Sequence, residues 1–207
     1  MTKMPRRGMP QWLERLDAAL RDVQGDRLHY SHAATPGIPL SRAPWPAIPP
    51  AELRDMRSWW DWAASFDLGE EAALNLHFLP LGGVALPAEY AAGHADWYCM
   101  IAAQTQPAAT ADSFWSPSWM PLVGSDSVAW AVDVADDRAP VIYAPLDGPS
   151  SEIVGYGGVR YLAETLSELL EHGFFRRNFD QGGPWDRSGV PLPESLRAAH
   201  VFTESGL

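Results

Sequence analysis

Apolar residues recur at helical spacing in several stretches of this chain. The predicted helices cover residues 11–23, 50–65, 88–103 and 159–171. Proline precedes or opens the first two, at Pro10 and Pro50, where a missing amide hydrogen costs no helical hydrogen bond. Gly173 follows the last helix, as expected of a residue that ends one. The long helical segments therefore come with their own start and stop signals.

Shorter stretches have the character of β-strands. The clearest one carries valine or tryptophan at every second position, which is typical of a strand with one buried face. The predicted strands cover residues 75–79, 127–134, 140–144 and 152–156. Turn-forming sequences separate the last three, so we expect these strands to run antiparallel. Together the elements predict an α+β fold with a central, mostly antiparallel sheet and helices packed on it.

Composition divides the chain into three segments. Residues 1–49 hold the first helix and a proline-rich connector without a clear period. Residues 50–175 hold the α+β domain, and residues 176–207 form a polar, partly irregular tail. The pattern leaves open whether the N-terminal segment packs on the domain.

Ten tryptophans in 207 residues are the most unusual feature of the composition. Tryptophan is the largest apolar side chain that a core can bury, and it is also a frequent anchor at binding surfaces. Neighbouring residues diverge by about 100° around a helix. At least one of Trp59, Trp60 and Trp62 is therefore expected at the surface or beneath the proline-rich connector. We interpret Trp59, Trp60 and Trp115 as candidate apolar contacts with a partner.

The net charge of −11 argues against nucleic acid and anionic membranes as partners, because both would repel the protein. It favours a basic protein partner instead. Residues 121–172 hold nine acidic and only two basic residues, so the imbalance is strongest there. The candidate acidic contacts are Asp126, Asp136, Asp137 and Glu152. The alternative is that Asp126 and Asp136 only form turns and that the acidic surface serves solubility.

The sequence offers little catalytic or cofactor chemistry. Cys99 is the single cysteine, which excludes an internal disulfide, and His29 with His32 lacks a third metal ligand at a suitable spacing. The glycines at 155–158 precede a helix but lack the remainder of a phosphate-binding loop. No membrane span or signal-peptide core is evident. We expect a cytoplasmic, non-enzymatic protein without metal or cofactor. Its 14 arginines against one lysine indicate a bacterial genome.

Several short motifs between residues 117 and 173 follow one another in a definite order. They are Trp119-Met120-Pro121-Leu122, Gly124-Ser125-Asp126, Ala131-Val132-Asp133, Ala139-Pro140-Val141-Ile142-Tyr143 and the helix that contains residues 161–170. Upstream, Ile48-Pro49-Pro50 leads into the helix with the three clustered tryptophans. In this order of elements, residues 50–173 resemble the SUKH superfamily, which includes cell-wall-assembly regulators of the SMI/KNR type.

The resemblance implies an α+β fold without enzymatic activity or cofactor. In bacteria it also implies a frequent role as an immunity protein that binds and neutralises a toxin, often a nuclease. Our leading hypothesis is therefore an immunity protein of a toxin–antitoxin pair, acting on a basic toxin domain. One alternative is an intracellular regulatory or scaffold protein of the SMI/KNR type. A remoter one is a carbohydrate or small-molecule binder that stacks its ligand on tryptophan.

Overall fold

The computed structural model describes residues 8–24, 48–66, 84–88, 90, 91, 93, 115–124, 128–145 and 151–171. Within these ranges the elements are α1 (Gln11–Gln24), α2 (Pro50–Ala63), β1 (Val84–Ala85), β2 (Trp119–Gly124), β3 (Val128–Asp133), β4 (Pro140–Pro145), β5 (Glu152–Tyr156) and α3 (Gly158–Glu171). Helices and an antiparallel sheet in this order make an α+β fold, which confirms the class predicted from the sequence.

The five strands form one sheet in the order β1-β2-β3-β4-β5, and every neighbouring pair is antiparallel. Chain order and sheet order coincide for these strands. Short connections suffice where consecutive strands run antiparallel. The six residues from Val134 to Ala139 join β3 to β4, and the glycine turn after Tyr156 leads directly from β5 into α3.

The predicted helices and strands agree with the observed ones in α1, α2, α3, β3, β4 and β5, to within two residues at each end. The predicted helix over 88–103 is helical at residues 88, 90, 91 and 93, and its other residues lie outside those described. The predicted strand over 75–79 also lies outside the described residues. Neither β1, which has only two residues, nor β2, which contains Pro121, was predicted.

Pro121 is tolerated in β2 because it stands at a pair where β2 and β3 exchange no hydrogen bond, so its nitrogen faces away from β3. Pro121 pairs with Ala131, but the register between β2 and β3 shifts before Val123. Proline cannot donate a ladder hydrogen bond, and within sheets it is usually confined to edges and bulges. On the other side, β1 pairs only with Val123 and Gly124, so no described strand requires a hydrogen from Pro121.

One hydrophobic core lies between the helices and one face of the sheet. Its members include apolar residues of all three helices and of β2 to β5, all less than a tenth exposed. On β3, Trp130, Val132 and Val134 belong to this core, as their alternation predicted. Ala129 and Ala131 are fully buried on the other face, so both faces of β3 are covered.

α1 is an integral part of this core. Leu13, Leu16 and Leu20 are at most 1% exposed and belong to the same cluster as the apolar residues of α3. The indole nitrogen of Trp62 in α2 donates a hydrogen bond to Asp17 Oδ1 at 3.0 Å. The sequence left open whether the N-terminal segment docks. The structure packs its helix into the domain.

Candidate protein-binding surface

The tryptophans predicted as partner contacts are buried. Trp59 is 0% exposed, Trp60 4% and Trp115 7%. Two of them also bond within the fold, since the indole nitrogen of Trp59 donates to the Leu122 carbonyl at 3.0 Å and that of Trp115 to the Trp119 carbonyl at 3.3 Å. The prediction that these three rings present a binding surface is therefore wrong for the folded chain.

The burial of three clustered tryptophans follows from the position of α2. Trp59 reaches a carbonyl of β2, whereas Trp62 reaches Asp17 on α1, so α2 is covered from more than one side. The rings of Trp59 and Trp62 pack against each other with centroids 5.1 Å apart. Trp60 points in another direction and still belongs to the core. Helical geometry predicted that at least one of the three rings would lie at the surface or beneath the proline-rich connector. None of the three reaches the surface.

Of the predicted acidic contacts, Asp136 and Asp137 lie in the turn between β3 and β4, whereas Asp126 lies outside the described residues. Asp136 Oδ1 accepts the backbone N–H of Arg138 at 2.9 Å, which is the local turn-forming role that the sequence left as an alternative. The Arg138 guanidinium also donates to both carboxylate oxygens of Asp136. These bonds to Arg138 lower the pKa of Asp136. Asp137 is exposed.

Glu152 lies apart from the aspartates of this turn. It pairs with Tyr143 at one end of β5, whereas Tyr156, at the other end, pairs with Pro140 just after the turn. Four residues of strand span about 13 Å. The predicted acidic contacts that the structure describes therefore lie at opposite ends of β5.

Arg138 links the β3–β4 turn to the end of β5. Its guanidinium carbon lies 4.6 Å from the centroid of the Tyr156 ring, within the range of a cation–π contact. The backbone supports the same junction, because Gly157 N–H donates to the Arg138 carbonyl and Gly158 N–H to the Ala139 carbonyl, at 3.0 and 2.8 Å. Tyr156 is thereby held beside Asp136 and Asp137.

A bulge in β5 determines which side chains share its outer surface. Ile142 pairs with Ile153 and Pro140 with Tyr156, but Val154 is an extra residue that the β4 register skips. Residues two apart on β4 lie on the same face of the sheet. Their partners Ile153 and Tyr156 therefore also share a face, although residues three apart in a regular strand would not.

Tyr161 of α3 holds this bulge in place. Its hydroxyl donates to the Val154 carbonyl at 2.7 Å. Its ring occupies the space that a Cβ at position 155 would need, so glycine fits there without displacing the ring. Burial raises the pKa of the Tyr161 hydroxyl, which keeps it a neutral donor.

Ile153 is 49% exposed and Tyr156 47%. Among the described residues, the only other large hydrophobic side chain that is similarly exposed is Tyr90, at 55%. We call Ile153 and Tyr156, together with the turn residues Asp136, Asp137 and Arg138, the β5 patch. Two of these five residues, Asp136 and Asp137, were predicted from the sequence as partner contacts. Sequence reasoning missed Ile153 and Tyr156 because a regular strand would place them on opposite faces.

A second cluster, next to the β5 patch, joins α2 to α3. Glu52 Oε1 accepts the Val159 N–H at the start of α3, at 3.2 Å, and leaves no room for a side chain at Gly158. Beside it, Arg160 donates to both oxygens of Asp55, at 2.6 and 3.3 Å. Burial raises the pKa of Glu52, and the Val159 hydrogen bond opposes that rise. The groups of this cluster satisfy one another, which is the arrangement of a structural clamp.

The described parts of residues 128–171 are strongly acidic. They contain seven carboxylates, at positions 133, 136, 137, 152, 164, 168 and 171, and two arginines. Both arginines are already engaged by a carboxylate, Arg138 by Asp136 and Arg160 by Asp55. The predicted excess of negative charge is thus carried by folded elements, namely the β3–β4 turn, β5 and α3, where Glu171 forms an ion pair with Arg15 of α1.

The described residues contain no group of three or more histidine, cysteine, aspartate or glutamate side chains placed to hold a metal ion. Within the same ranges, no helix has the length and apolar character needed to cross a bilayer. Comparison of the chain with protein-family models, with curated proteins and with solved structures gives no match.

Proposed function

We propose that this protein is a non-enzymatic binding module that recognises a basic protein partner through the β5 patch. The observation that carries the proposal is the combination found there. Two half-exposed apolar side chains, Ile153 and Tyr156, share one face of β5, and the turn that holds Asp136 and Asp137 adjoins the Tyr156 end, on a chain with a net charge of −11. An apolar centre with a polar, charged surround is the usual anatomy of a specific protein interface.

The partner that we propose is a toxin, which the protein neutralises as an immunity protein of the SUKH type. The proposal draws on the order of motifs over residues 50–173, on the α+β fold, and on the negative charge around β5. A carboxylate surface attracts a cationic protein and speeds its encounter, which suits an inhibitor that must act before the toxin does. Catalysis plays no part in this mechanism, because the protein acts by occupying the toxin's surface.

A regulatory scaffold of the SMI/KNR type is the second candidate. The exposure of Ile153 and Tyr156 favours it to the extent that apolar contact, rather than charge, dominates binding. Such a scaffold would associate weakly and with little dependence on salt. The carbohydrate-binder alternative has little support, because Trp59, Trp60 and Trp115 are buried and offer no open ring face on which a sugar could stack.

The test is an affinity purification from the native host at low and at moderate salt, with the bound proteins identified by mass spectrometry. We expect one basic partner that is toxic when expressed alone and harmless when co-expressed with this protein. Asp137→Lys should weaken its retention, whereas Glu14→Lys makes the same charge change on α1 and should have less effect. Retention that is insensitive to salt and to Asp137→Lys would contradict the proposal. A host killed equally with or without the protein would exclude immunity.

A further inference from the structure

We propose that the partner docks by adding an extended, basic segment of its own chain to the outer edge of β5. This inference rests on the proposed function and specifies how the acidic module holds its partner. β5 is the last strand in the sheet order and bonds to β4 on one side, and no other described strand lies along its outer side. The edge of a sheet presents backbone donors and acceptors that an extended chain can pair with.

The side chains of β5 supply the apolar contacts that such a docking mode uses. In strand addition, main-chain hydrogen bonds give affinity, and contacts with alternate side chains give specificity. Ile153 and Tyr156 lie on one face because the bulge at Val154 brings them there. Single exposed apolar residues are ordinary. Two on the same face of one outer strand form a continuous contact for the added segment.

β5 lacks two of the residues that commonly protect an edge. Lysine and proline on the edge block strand addition in many natural sheets. The β5 sequence, Glu-Ile-Val-Gly-Tyr, contains neither. Its bulge serves to re-aim side chains, and Tyr161 holds that bulge from the side of α3.

Charge distinguishes a basic partner from a second copy of this chain. β5 begins at Glu152 and ends beside Asp136 and Asp137, so carboxylates stand at both of its ends. Two copies paired antiparallel through β5 would bring like charges together at each end, on chains that each carry −11. A segment with lysine or arginine at alternate positions would meet opposite charge at both ends instead.

The test uses defined peptides and the full-length protein. One peptide alternates lysine and valine, and the other has the same sequence with every central backbone nitrogen methylated, which removes the strand-pairing donors from both edges of the peptide and keeps the charge. We expect the first peptide to bind and to slow amide hydrogen exchange over residues 151–156, and the methylated peptide to bind much more weakly. Ile153→Lys and Tyr156→Lys should each weaken binding by about tenfold or more, as loss of an interface anchor does.

Tyr90→Lys is the matched control, because it replaces an equally exposed aromatic side chain outside the sheet and should leave the affinity little changed. Equal binding of both peptides would overturn strand addition and leave the acidic binding module intact. Absence of binding by either peptide would also overturn it. Without peptide, the protein could dimerise as its concentration rises and show slow exchange in β5. That result would assign the edge to a second copy of the chain instead. Failure of the proposed function is a separate result, namely partner retention that Asp137→Lys does not alter.

Discussion

The α2 region and the β5 patch use aromatic residues in opposite ways. In α2, Trp59 and Trp62 are buried, and their indole nitrogens bond to β2 and to α1. In the β5 patch, Tyr156 is half exposed and its ring is flanked by the guanidinium of Arg138. Trp59 and Trp62 therefore hold α2 to β2 and to α1. The surface available to a partner is built from less conspicuous residues.

The two regions differ in their charges in the same way. In the core, Asp17 is 8% exposed and receives the indole N–H of Trp62, so its carboxylate serves the fold. In the patch, Asp137 is exposed beside the ion pair of Asp136 with Arg138. Exposed pairs of this kind contribute little to stability. The account thus predicts that changes in α2 alter folding, whereas changes in the patch alter binding.

The largest expected effect is that of Trp59→Ala. It removes a fully buried ring and its hydrogen bond to the Leu122 carbonyl. We expect the free energy of unfolding to fall by about 3–5 kcal/mol, the usual cost of truncating a buried aromatic side chain. Denaturant unfolding monitored by circular dichroism measures it. Tyr156→Ala in the patch is the comparison. A similar loss in both variants would show that the two regions are not distinct.

Gly155→Ala tests the bulge in β5 that Tyr161 of α3 holds in place. The added methyl group would overlap the Tyr161 ring, so either the ring or the strand must move. We expect a loss of about 1–3 kcal/mol, typical of overpacking. Gly93→Ala is the matched control, since a Cβ there meets nothing within 4 Å, and alanine favours its helical backbone. A stability of Gly155→Ala equal to that of the control would refute the role given to Tyr161.

Asp17→Ala tests how α1 is fastened to α2. The variant leaves the buried Trp62 indole N–H without its acceptor, which typically costs about 1–3 kcal/mol. Asp17→Asn retains an oxygen at that position and should recover part of the loss. Asp22→Ala, a change at an exposed aspartate on the same helix, should have little effect. Equal stabilities of Asp17→Ala and Asp22→Ala would argue against α1 being anchored through Trp62.

Glu52→Gln has the smallest expected effect, and it changes how the free energy of unfolding depends on pH. Because burial raises the pKa of Glu52 in the folded protein above its usual 4.5, folding favours the protonated form. The stability that it contributes is full below that ordinary pKa and is lost as the pH rises through the folded-state pKa. The glutamine variant should therefore gain stability relative to the wild type as the pH rises. Unfolding measured across this range tests it, and parallel pH curves would contradict it.

The sequence predicted most of the architecture because its main elements have strong periodicity. The alternation in β3 and the amphipathic pattern of α3 depend on local spacing alone. β2 was missed because its tolerance of Pro121 depends on which side the proline nitrogen faces, and the pairing that decides this is a property of two strands. Likewise, the burial of Trp60 depends on what covers α2, which its own helix does not specify.

The site was harder to predict than the fold for the same reason. Asp136 and Asp137 were recognisable from turn chemistry and charge. Ile153 and Tyr156 look like opposite-facing residues until the bulge at Val154 is known. The only local signal was Gly155, since glycine inside a strand often marks a bulge.

The most direct test of the account is a hydrogen-exchange footprint of the full-length protein bound to the partner that affinity purification retrieves. We predict slower exchange over β5 and the β3–β4 turn, at residues 151–157 and 134–139, with no change in α1. Protection confined to the helices, with unchanged exchange in β5, would show that the partner binds elsewhere and would contradict the assignment of the β5 patch.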